Sequence, residues 1–467
     1  MKISFYGAAR SVTGSRHLIE AGATHILLDC GMYQGRRQQS DRFNRRLGFD
    51  AQRINAVLLS HAHIDHSGAL PILAKEKFKG PVYMTDATAD LTSLMLQDSA
   101  RIQKSDSRYV NKKERRRGTQ RLSPYYDQKD VRSIMQRFSP VRYGKTIRVS
   151  PRIKAEFHDA GHILGSSSIW LKHTHQGHSV SVLFSGDVGR ANMPILRDPE
   201  PPPRCDVLIL ESTYGDRIHD EDLKTMKQKA RELVTHAQKY KSKIIIPAFA
   251  IGRTQELVMR IKELVQAKEV VPLPIFIDSP LASKATNIFR RHPECFDEET
   301  FQTFSSQVDP FAAKYIRYVS SVQESQALNS MRGPCVIISA SGMCEGGRVL
   351  HHLKHTIQDA HNIIALVGFQ AEHTLGRKLI EEWDTVPIFG RPTPRRAKIV
   401  RFNGLSAHAD RNDLLAYVRA IDPLPSKIFV VHGEERQSFC LASALRDEHP
   451  AIDITVPELG STHRIHP

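Results

Sequence analysis

The sequence predicts an α/β protein built from two kinds of sheet, and three observations support this. Short β-rich runs separated by Gly and Ser open the chain, as at Lys2–Gly7 and His17–Glu20. From about residue 213 apolar strands alternate with amphipathic helices, which is typical of a mainly parallel sheet covered on both faces. The 467 residues allow more than one domain, and 40% apolar with 25% charged residues excludes a disordered chain.

The elements are predicted from β-rich runs, amphipathic stretches and the turns between them. The expected strands are Lys2–Gly7, His17–Glu20, His25–Leu28, Ile54–Ser60, Ile147–Ala160, Ser166–Lys172, Ser179–Ser185, Asp206–Leu210, Lys243–Ile246, Ile275–Asp278, Cys335–Ser339, Ile363–Phe369, Lys398–Phe402 and Lys427–Val431. The expected helices are Ala69–Phe78, Asp90–Ser105, Leu223–Tyr240 and Thr254–Ala267.

The charge balance indicates an acidic partner. Lys and Arg number 66 against 50 Asp and Glu, a net charge of +16, so nucleic acid is the first candidate. Residues 101–150 hold 15 Lys or Arg and 4 Asp or Glu, most of that excess. We expect Arg115, Arg116 and Arg117 to face water or phosphate, because Arg is almost never buried without a partner.

Cysteine usage and hydropathy bear on the compartment. The six cysteines form no CxxC pair, which argues against a disulfide framework and fits a reducing cytoplasm. The longest apolar stretches, such as Ile244–Ile251, are too short to span a bilayer. The N-terminal residues lack an apolar run of signal-peptide length. We therefore expect a cytoplasmic protein without a membrane anchor.

The strongest chemical signal is the motif His61-Ala-His63-Ile-Asp65-His66, just past an apolar strand. It places four potential metal ligands within six residues. In a turn, His61 and His63 can face one ion while Asp65 and His66 face a second. Imidazole and carboxylate are the ligands that Zn²⁺ and related ions prefer.

Three more candidate ligands follow apolar strands: His162 in DAGHILGS, Asp187 in FSGDVGR and His432 in FVVHGEE. Each alone is typical of an ordinary turn residue. Together they complete two sites, one with His61, His63 and His162 and one with Asp65, His66 and His432, bridged by Asp187. Asp29, in LLDCG, is a further strand-end carboxylate that could orient a ligand by a hydrogen bond.

These motifs resemble the metallo-β-lactamase superfamily, and further ones resemble its β-CASP subfamily of RNA-processing nucleases. Glu211 in LILESTYGDR, His408 in FNGLSAHAD and His432 match the additional β-CASP motifs. PAFAIGRTQEL, IFIDSPLASKAT, ASGMCEGGR and GFQAEHTLGR are similar to the shorter bacterial members. His373 stands where a small residue such as Gly is expected. The resemblance to a bacterial relative of the pre-mRNA 3′-end endonuclease covers nearly the whole chain.

The resemblance implies a metallo-β-lactamase αββα sandwich interrupted by a β-CASP α/β domain. The sandwich would consist of residues 1–212 and 396–467, and the inserted β-CASP domain of residues 213–395. The last segment would return to the sandwich and deliver His408 and His432 to the site.

The implied activity is two-metal hydrolysis of RNA, an attack of activated water on phosphorus. Asp65 and Asp187 would hold the ions, two Zn²⁺ with Mn²⁺ left open. His408 would be the general acid, with Glu211 fixing its tautomer. Glycine-rich loops could hold phosphates, with these substrate-binding candidates: Arg253, Ser341, Gly342 and Arg348.

Alternative functions remain open at this point. A DNA-processing nuclease fits the same subfamily, although His408 favours RNA modestly. A small-molecule hydrolase fits the metal motif, but the charge and the long insertion argue against it. A non-catalytic RNA-binding partner would be expected to have lost metal ligands. We expect single-stranded RNA as the partner; the sequence leaves open a homodimer, the RNA target and endo- or exonucleolytic action.

Overall fold

The computed structural model describes residues 1–35, 37–114, 122–219, 223–368, 370, 373–402, 404 and 406–465. The chain divides into two compact units. The first comprises Met1–Ala191, Asp198–Ile218 and His408–Pro467, and the second comprises Asn192–Arg197 and His219–Ala407. The segment Arg115–Arg117 lies outside the described residues. The domain boundaries given above stay a prediction.

Two seven-stranded sheets form the centre of the first unit. The first sheet contains β1 (Lys2–Phe5), β2 (His17–Ala21), β3 (Thr24–Leu28), β4 (Ala56–Leu58), β5 (Val82–Thr85), β6 (Phe138–Val141) and β22 (Thr462–Arg464), in the order β22-β1-β2-β3-β4-β5-β6. The second contains β7 (Ile147–Ser150), β8 (Ile153–Asp159), β9 (Ser167–His175), β10 (His178–Phe184), β11 (Val207–Glu211), β20 (Lys427–Val431) and β21 (Asp453–Thr455), in the order β21-β20-β11-β10-β9-β8-β7.

Helices cover the outer faces of these two sheets. The helices of this unit are α1 (Arg37–Asn44), α2 (Ile64–Ser67), α3 (Leu70–Lys75), α4 (Asp86–Glu114), α5 (Gln128–Met135), α13 (Arg411–Arg419) and α14 (Glu435–Glu448), with a 3₁₀ turn at Ala51–Arg53. One apolar core, including Phe5, Phe157 and Phe429, lies between the sheets. A second joins α3, α4 and α5 to the first sheet, and a third joins α13 and α14 to the second. The layers are therefore αββα, as the fold class predicts.

The second unit is built on a six-stranded sheet whose neighbouring strands all pair in parallel. Its strands are β12 (Lys243–Pro247), β13 (Ile275–Ile277), β14 (Ile316–Tyr318), β15 (Cys335–Ser339), β16 (Ile363–Val367) and β19 (Lys398–Phe402), in the order β14-β13-β15-β12-β16-β19. A separate hairpin contains β17 (Thr385–Ile388) and β18 (Arg391–Pro394).

Helices lie on both faces of this parallel sheet. They are α6 (Leu223–Tyr240), α7 (Arg253–Gln266), α8 (Pro280–Phe289), α9 (Glu298–Ser305), α10 (Val322–Ser330), α11 (Val349–Thr356) and α12 (Leu375–Ile380), with a 3₁₀ turn at Pro293–Cys295. Consecutive residues of β12 enter opposite cores, Ile244 with α6 and α7 and Ile245 with α11. The apolar strand is thus buried on both faces, which confirms the predicted architecture.

Two expectations about strands differ from the structure. The run 147–160 was expected to be one strand, and this is wrong: it forms β7 and β8, which pair antiparallel around a turn at Pro151 and Arg152. Proline has no N–H to continue a strand ladder. Strand β19 was expected in the C-terminal return to the sandwich, but it pairs in parallel with β16 in the second unit.

No helix among the described residues combines the length and the apolar character needed to cross a membrane.

Candidate metal centre

The candidate ligands of the first unit follow strands whose ends meet at one edge of each sheet. In the second sheet β10, β11 and β20 run in parallel, and β8 runs the same way because both β8 and β10 are antiparallel to β9. Their carboxyl ends are followed by His162, Asp187 and His432, with Glu211 the last residue of β11. Parallel topology therefore brings residues that are distant in sequence to one place.

The motif of residues 61–66 reaches the same place from the first sheet. It follows β4, and His63 is the N-cap residue of the one-turn helix α2, which carries Asp65 and His66. Because the chain turns into a helix here, His61 and His63 separate from Asp65 and His66. The two pairs face different groups of partners.

The first group consists of His61, His63, His162 and Asp187. His61 Nε2 lies 3.1 Å from His63 Nδ1, and His162 Nε2 lies 3.4 Å from that same nitrogen. Asp187 Oδ2 lies 3.4 Å from His61 Nε2 and 3.5 Å from His162 Nε2. A tetrahedral Zn²⁺ site with bonds of about 2.1 Å has ligand–ligand edges of about 3.4 Å. The donors of this group therefore fit such an ion.

The second group consists of Asp65, His66 and His432, and the other oxygen of Asp187 faces it. His66 Nε2 lies 2.9 Å from His432 Nε2 and 3.3 Å from Asp187 Oδ1. His432 Nε2 also lies 3.8 Å from Asp65 Oδ2, and His432 Nδ1 lies 3.5 Å from Asp187 Oδ1. Asp187 Oδ1 is buried and has no hydrogen-bond partner among the described residues. An unsatisfied buried carboxylate oxygen facing imidazole nitrogens is the arrangement that a cation stabilises.

Asp29 fixes the orientation of His66. Its Oδ2 lies 2.6 Å from His66 Nδ1, and Ser60 donates to the same carboxylate through its N–H, at 2.8 Å, and its hydroxyl, at 2.9 Å. The Asp29 side chain is fully buried. We assign the imidazole proton to Nδ1, which leaves the lone pair of Nε2 directed at His432 and Asp187. Such carboxylate–imidazole pairs set the tautomer of metal-binding histidines.

The charge states of these side chains suit metal binding. Burial lowers the pKa of His61 and His162 well below the usual value and that of His63 to about 4, so these rings are neutral near pH 7. Burial alone would raise the pKa of Asp187, but the nearby histidines hold it well below its usual value. The protein therefore presents neutral imidazoles and a carboxylate, the forms that bind metal ions.

The pKa of His66 is shifted in the opposite direction to those of His61, His63 and His162. Burial lowers the pKa of His66, but Asp187 and Asp29 outweigh it and hold the pKa well above the usual value. The paired carboxylates thus favour a cation at this position, either a proton or a metal ion.

His408 and Glu211 stand beside the first group. His408 Nδ1 lies 3.3 Å from Glu211 Oε1 and 3.9 Å from Asp187 Oδ2. Glu211 also accepts hydrogen bonds from the N–H groups of Val188, at 2.7 Å, and Thr213, at 3.2 Å. Burial lowers the pKa of His408, and Glu211 and Asp187 more than offset this, so the pKa is raised. The ring is thereby favoured in its protonated form.

Glycine allows the loops of the site to approach one another. A Cβ on Gly31 would lie 1.6 Å from the carbonyl oxygen of Asp65, and a Cβ on Gly189 would lie 2.1 Å from that of Gly161. Any side chain at these positions would displace the loop that carries a candidate ligand.

The substrate-binding candidates lie in the second unit, where both arginines have internal partners. Arg253 is buried and pairs with Glu256 within α7. Arg348 Nη1 lies 2.6 Å from the buried Asp278, and its Nη2 donates to the Ser320 carbonyl at 2.9 Å. Their predicted role in RNA binding stays a prediction, and each has a structural role as well.

The loop after β15 contains the other two candidates. Ser341 Oγ accepts from the N–H of Glu345 at 3.1 Å, which closes the loop on itself. Gly342 packs so closely on Phe249 that a Cβ there would lie 2.9 Å from its ring. His373 has a φ of +68°, a left-handed conformation that favours Gly, the residue expected there.

Sequence reasoning missed the hydrogen-bonding partners of the candidate ligands. Ser60 binds Asp29 through two donors, and the Thr213 hydroxyl lies 3.3 Å from His432 Nδ1 and donates to the His432 carbonyl at 3.1 Å. Only their positions in the sequence could have indicated these two residues. Ser60 directly precedes the motif of residues 61–66, and Thr213 lies two residues after Glu211.

Family models match most of the chain. The metallo-beta-lactamase superfamily matches residues 14–248, the Beta-Casp domain residues 254–379, and the Zn-dependent metallo-hydrolase RNA specificity domain residues 392–457. The crystal structure of a protein of unknown function from Enterococcus faecalis V583 is similar in fold, with a TM-score of 0.53, 12% identity and 99% of each chain covered.

Curated relatives extend over nearly the whole chain. Ribonuclease TTHA0252 of Thermus thermophilus is 34% identical over 445 residues, covering 95% of this chain and 96% of its own. Transcription termination factor FttA of Methanocaldococcus jannaschii is 33% identical, covering 96% of this chain and 69% of its own. An RNase J-like protein of the same archaeon is 32% identical, covering 95% of both. The chain therefore belongs to the β-CASP ribonuclease family of metal-dependent hydrolases, within the metallo-β-lactamase superfamily.

Proposed function

We propose that this protein is a zinc-dependent ribonuclease that hydrolyses RNA phosphodiester bonds by a two-metal mechanism. The observation that carries the proposal is that both groups of donors share Asp187. Its Oδ2 faces the first group and its Oδ1 faces the second. The name of the Thermus relative and the description of the family matched at 392–457 support RNA as the substrate. The net charge of +16 supports a polyanionic substrate.

Two sets of donors would hold the ions. His61, His63, His162 and Asp187 Oδ2 would bind one, and the second would lie among the following donors: Asp65, His66, His432 and Asp187 Oδ1. Ions bound there supply Lewis acidity toward water and the phosphodiester. Zinc is favoured by the match of the first group to a tetrahedron, and Mn²⁺ suits the same mixture of donors.

His408 would supply the proton that the leaving oxygen requires. Because Nδ1 faces Glu211 at 3.3 Å, Nε2 is the nitrogen that would deliver the proton. Glu211 acts as a positioning residue, since it holds the tautomer and favours the charged ring. A general acid of this kind contributes about 10²- to 10⁴-fold to the rate.

The test is hydrolysis of RNA labelled at either end, with 5′-triphosphate and 5′-monophosphate forms compared. A ladder of internal products means endonucleolytic cleavage, and immediate release of mononucleotides from the 5′ end means exonucleolytic action. Parallel assays contain the same sequence as DNA and a chromogenic lactam. Hydrolysis of DNA or lactam but not RNA would contradict the proposal.

The control is Asp187→Asn, which removes the shared charge and changes the shape of the side chain little. We expect hydrolysis to be lost while circular dichroism stays that of the parent. The bound metal should fall below the two ions per chain expected for the parent, measured by mass spectrometry of the dialysed protein. Parental hydrolysis by Asp187→Asn would refute the two-metal mechanism.

A further inference from the structure

A row of three cations crosses the second sheet of the first unit. Arg148 on β7 lies opposite Lys154 on β8, and Lys154 lies opposite Lys172 on β9. Residues directly opposite on antiparallel strands point to the same face, with Cβ atoms about 5 Å apart. Arg148 and Lys154 are exposed and Lys172 is half-buried. The three side chains therefore form one basic row on the outer face of the sheet.

In the described part of the chain, the row has no acidic partner. No described residue forms an ion pair with any of the three side chains. The nearest acid along β8, Glu156, accepts from the Thr146 hydroxyl and lies 3.7 Å from His158. At the far end, Ser181 lies opposite Lys172 and donates to Asp206 through its N–H and its hydroxyl, each at 2.7 Å. Glu156 and Asp206 thus contact other residues, and neither forms an ion pair with the row.

Such a row costs stability, because like charges directly opposite on neighbouring strands repel. Protection of an exposed sheet edge accounts for one cation, since β7 is the edge strand. It does not account for Lys154 and Lys172, which stand on interior strands. The helices α13 and α14 pack against this face through Leu208 and Val430, and their core reaches β9 at Trp170. Beyond it, Arg148 and Lys154 are exposed.

We propose that the row Arg148–Lys154–Lys172 binds the phosphate backbone of RNA at a surface separate from the metal centre. This rests on the proposed function, which supplies the polyanion. Lys154 precedes the end of β8 at Asp159 by five residues, about 17 Å along the strand. RNA bound at the row would be held away from the scissile bond, so the row would contribute to affinity for longer RNA without reading its sequence.

The first experiment compares the triple variant Arg148→Gln, Lys154→Gln, Lys172→Gln with its parent, both carrying Asp187→Asn. RNA affinity is measured by filter binding at several salt concentrations. Each lost phosphate contact on a single strand reduces the slope of log affinity against log salt by about 0.7, so we expect about two units less. Between 50 and 200 mM salt, the affinity of the triple variant should change about 20-fold less than that of the parent.

The matched control removes the same charge from the helical layer that covers the first sheet. It carries three substitutions at exposed positions in or near α5: Lys79→Gln, Lys129→Gln and Arg132→Gln. The control should keep the parental slope. Equal slopes for the row variant and the parent would overturn this proposal while leaving the ribonuclease proposal intact. If Asp187→Asn alone shows no RNA affinity, the row proposal fails, whereas the ribonuclease proposal is decided by RNA hydrolysis of the parent protein. A row variant that loses affinity for anionic lipid vesicles or duplex DNA but not for RNA would also overturn it.

A second variant separates binding from folding. In Lys154→Glu, the new carboxylate lies between Arg148 and Lys172, so repulsion becomes attraction. The unfolding temperature should rise by about 1–4 °C, while RNA affinity falls at least as much as in Lys154→Gln. A row that does not contact RNA would give the higher unfolding temperature with no change in RNA affinity. Unchanged RNA affinity in Lys154→Glu would overturn the proposal.

Discussion

Replacing Asp29 by Asn tests whether a residue outside the two donor groups sets the metal affinity. The Asp29 carboxylate accepts from the Ser60 N–H through Oδ1 and faces His66 Nδ1 at 2.6 Å through Oδ2. Asn has one acceptor oxygen, and its NH₂ group must occupy one of these positions. The Ser60 N–H cannot change its role, but an imidazole can move its proton. We therefore expect the NH₂ group to face His66 and the ring to carry its proton on Nε2.

This change removes a ligand without altering any donor residue. Nε2 is the atom 2.9 Å from His432 and 3.3 Å from Asp187, so a proton there blocks the lone pair directed into the second group. Loss of a partner that orients a metal ligand typically lowers metal affinity 10- to 100-fold, or about 1.4–2.7 kcal/mol. The first group does not involve His66, so its ion should stay bound.

The assay is RNA hydrolysis by the metal-loaded enzyme titrated against free zinc, buffered with a chelator, together with bound zinc per chain. The activation curve of Asp29→Asn should move to about 10- to 100-fold higher free zinc, and the chain should lose one ion first. Asp206→Asn is the matched control, because Asp206 also accepts from a serine N–H and hydroxyl but lies at the outer surface. An activation curve for Asp29→Asn that coincides with the parent's would refute the tautomer argument.

Three further substitutions test the assignments of acid, positioning residue and buried arginine. His408→Ala should slow the chemical step by about 10²- to 10⁴-fold with metal content and RNA affinity retained; loss of an ion would instead make His408 a ligand. Glu211→Gln should give a milder rate defect. In single-turnover assays the rate falls as pH rises through the pKa of the general acid, and Glu211 raises the pKa of His408, so this fall should move to lower pH in Glu211→Gln; an unchanged profile would contradict positioning. Arg348→Gln removes the arginine that pairs with the buried Asp278, so the free energy of unfolding measured in urea should fall by about 3 kcal/mol. This is the lower end of the range for a broken buried ion pair, because His352 and Ser325 still contact Asp278. Lost RNA affinity with unchanged unfolding would assign Arg348 to RNA instead.

The fold was predictable where local patterns decide it. The parallel sheet of the second unit follows from apolar strands such as Cys335–Ser339, buried along their whole length. The sequence predicts no break between β7 and β8, although Pro151 lies there, because isoleucines on both sides continue the β pattern. The partner of β19 could not be predicted, since its sequence is equally compatible with an edge position in either sheet. Long-range packing, here against β16, decides such cases.

The candidate site residues could be predicted from the sequence, but the residues that they contact could not. His61 and Asp187 are identified by residue type and by position after a strand, and the structure brings them within 3.4 Å. Arg348 follows a glycine-rich loop, a pattern that looks the same whether the guanidinium binds a phosphate or an internal carboxylate. Its partner Asp278 lies 70 residues away in sequence, so the pair could not be foreseen.

The separation of the donors along the chain explains why the shared carboxylate matters. His66 and His432 are 366 residues apart, and they meet only because β20 pairs with β11 and completes the second sheet. Asp187 follows β10, the neighbour of β11 in that sheet, so its carboxylate lies between donors delivered by both sheets. A cluster of this kind contains buried polar atoms that lack hydrogen-bond partners among the described residues, and Asp187 Oδ1 is one of them. Binding of a metal ion by these donors would therefore be coupled to completion of the fold at the C-terminal segment, since the donors converge only in the folded chain.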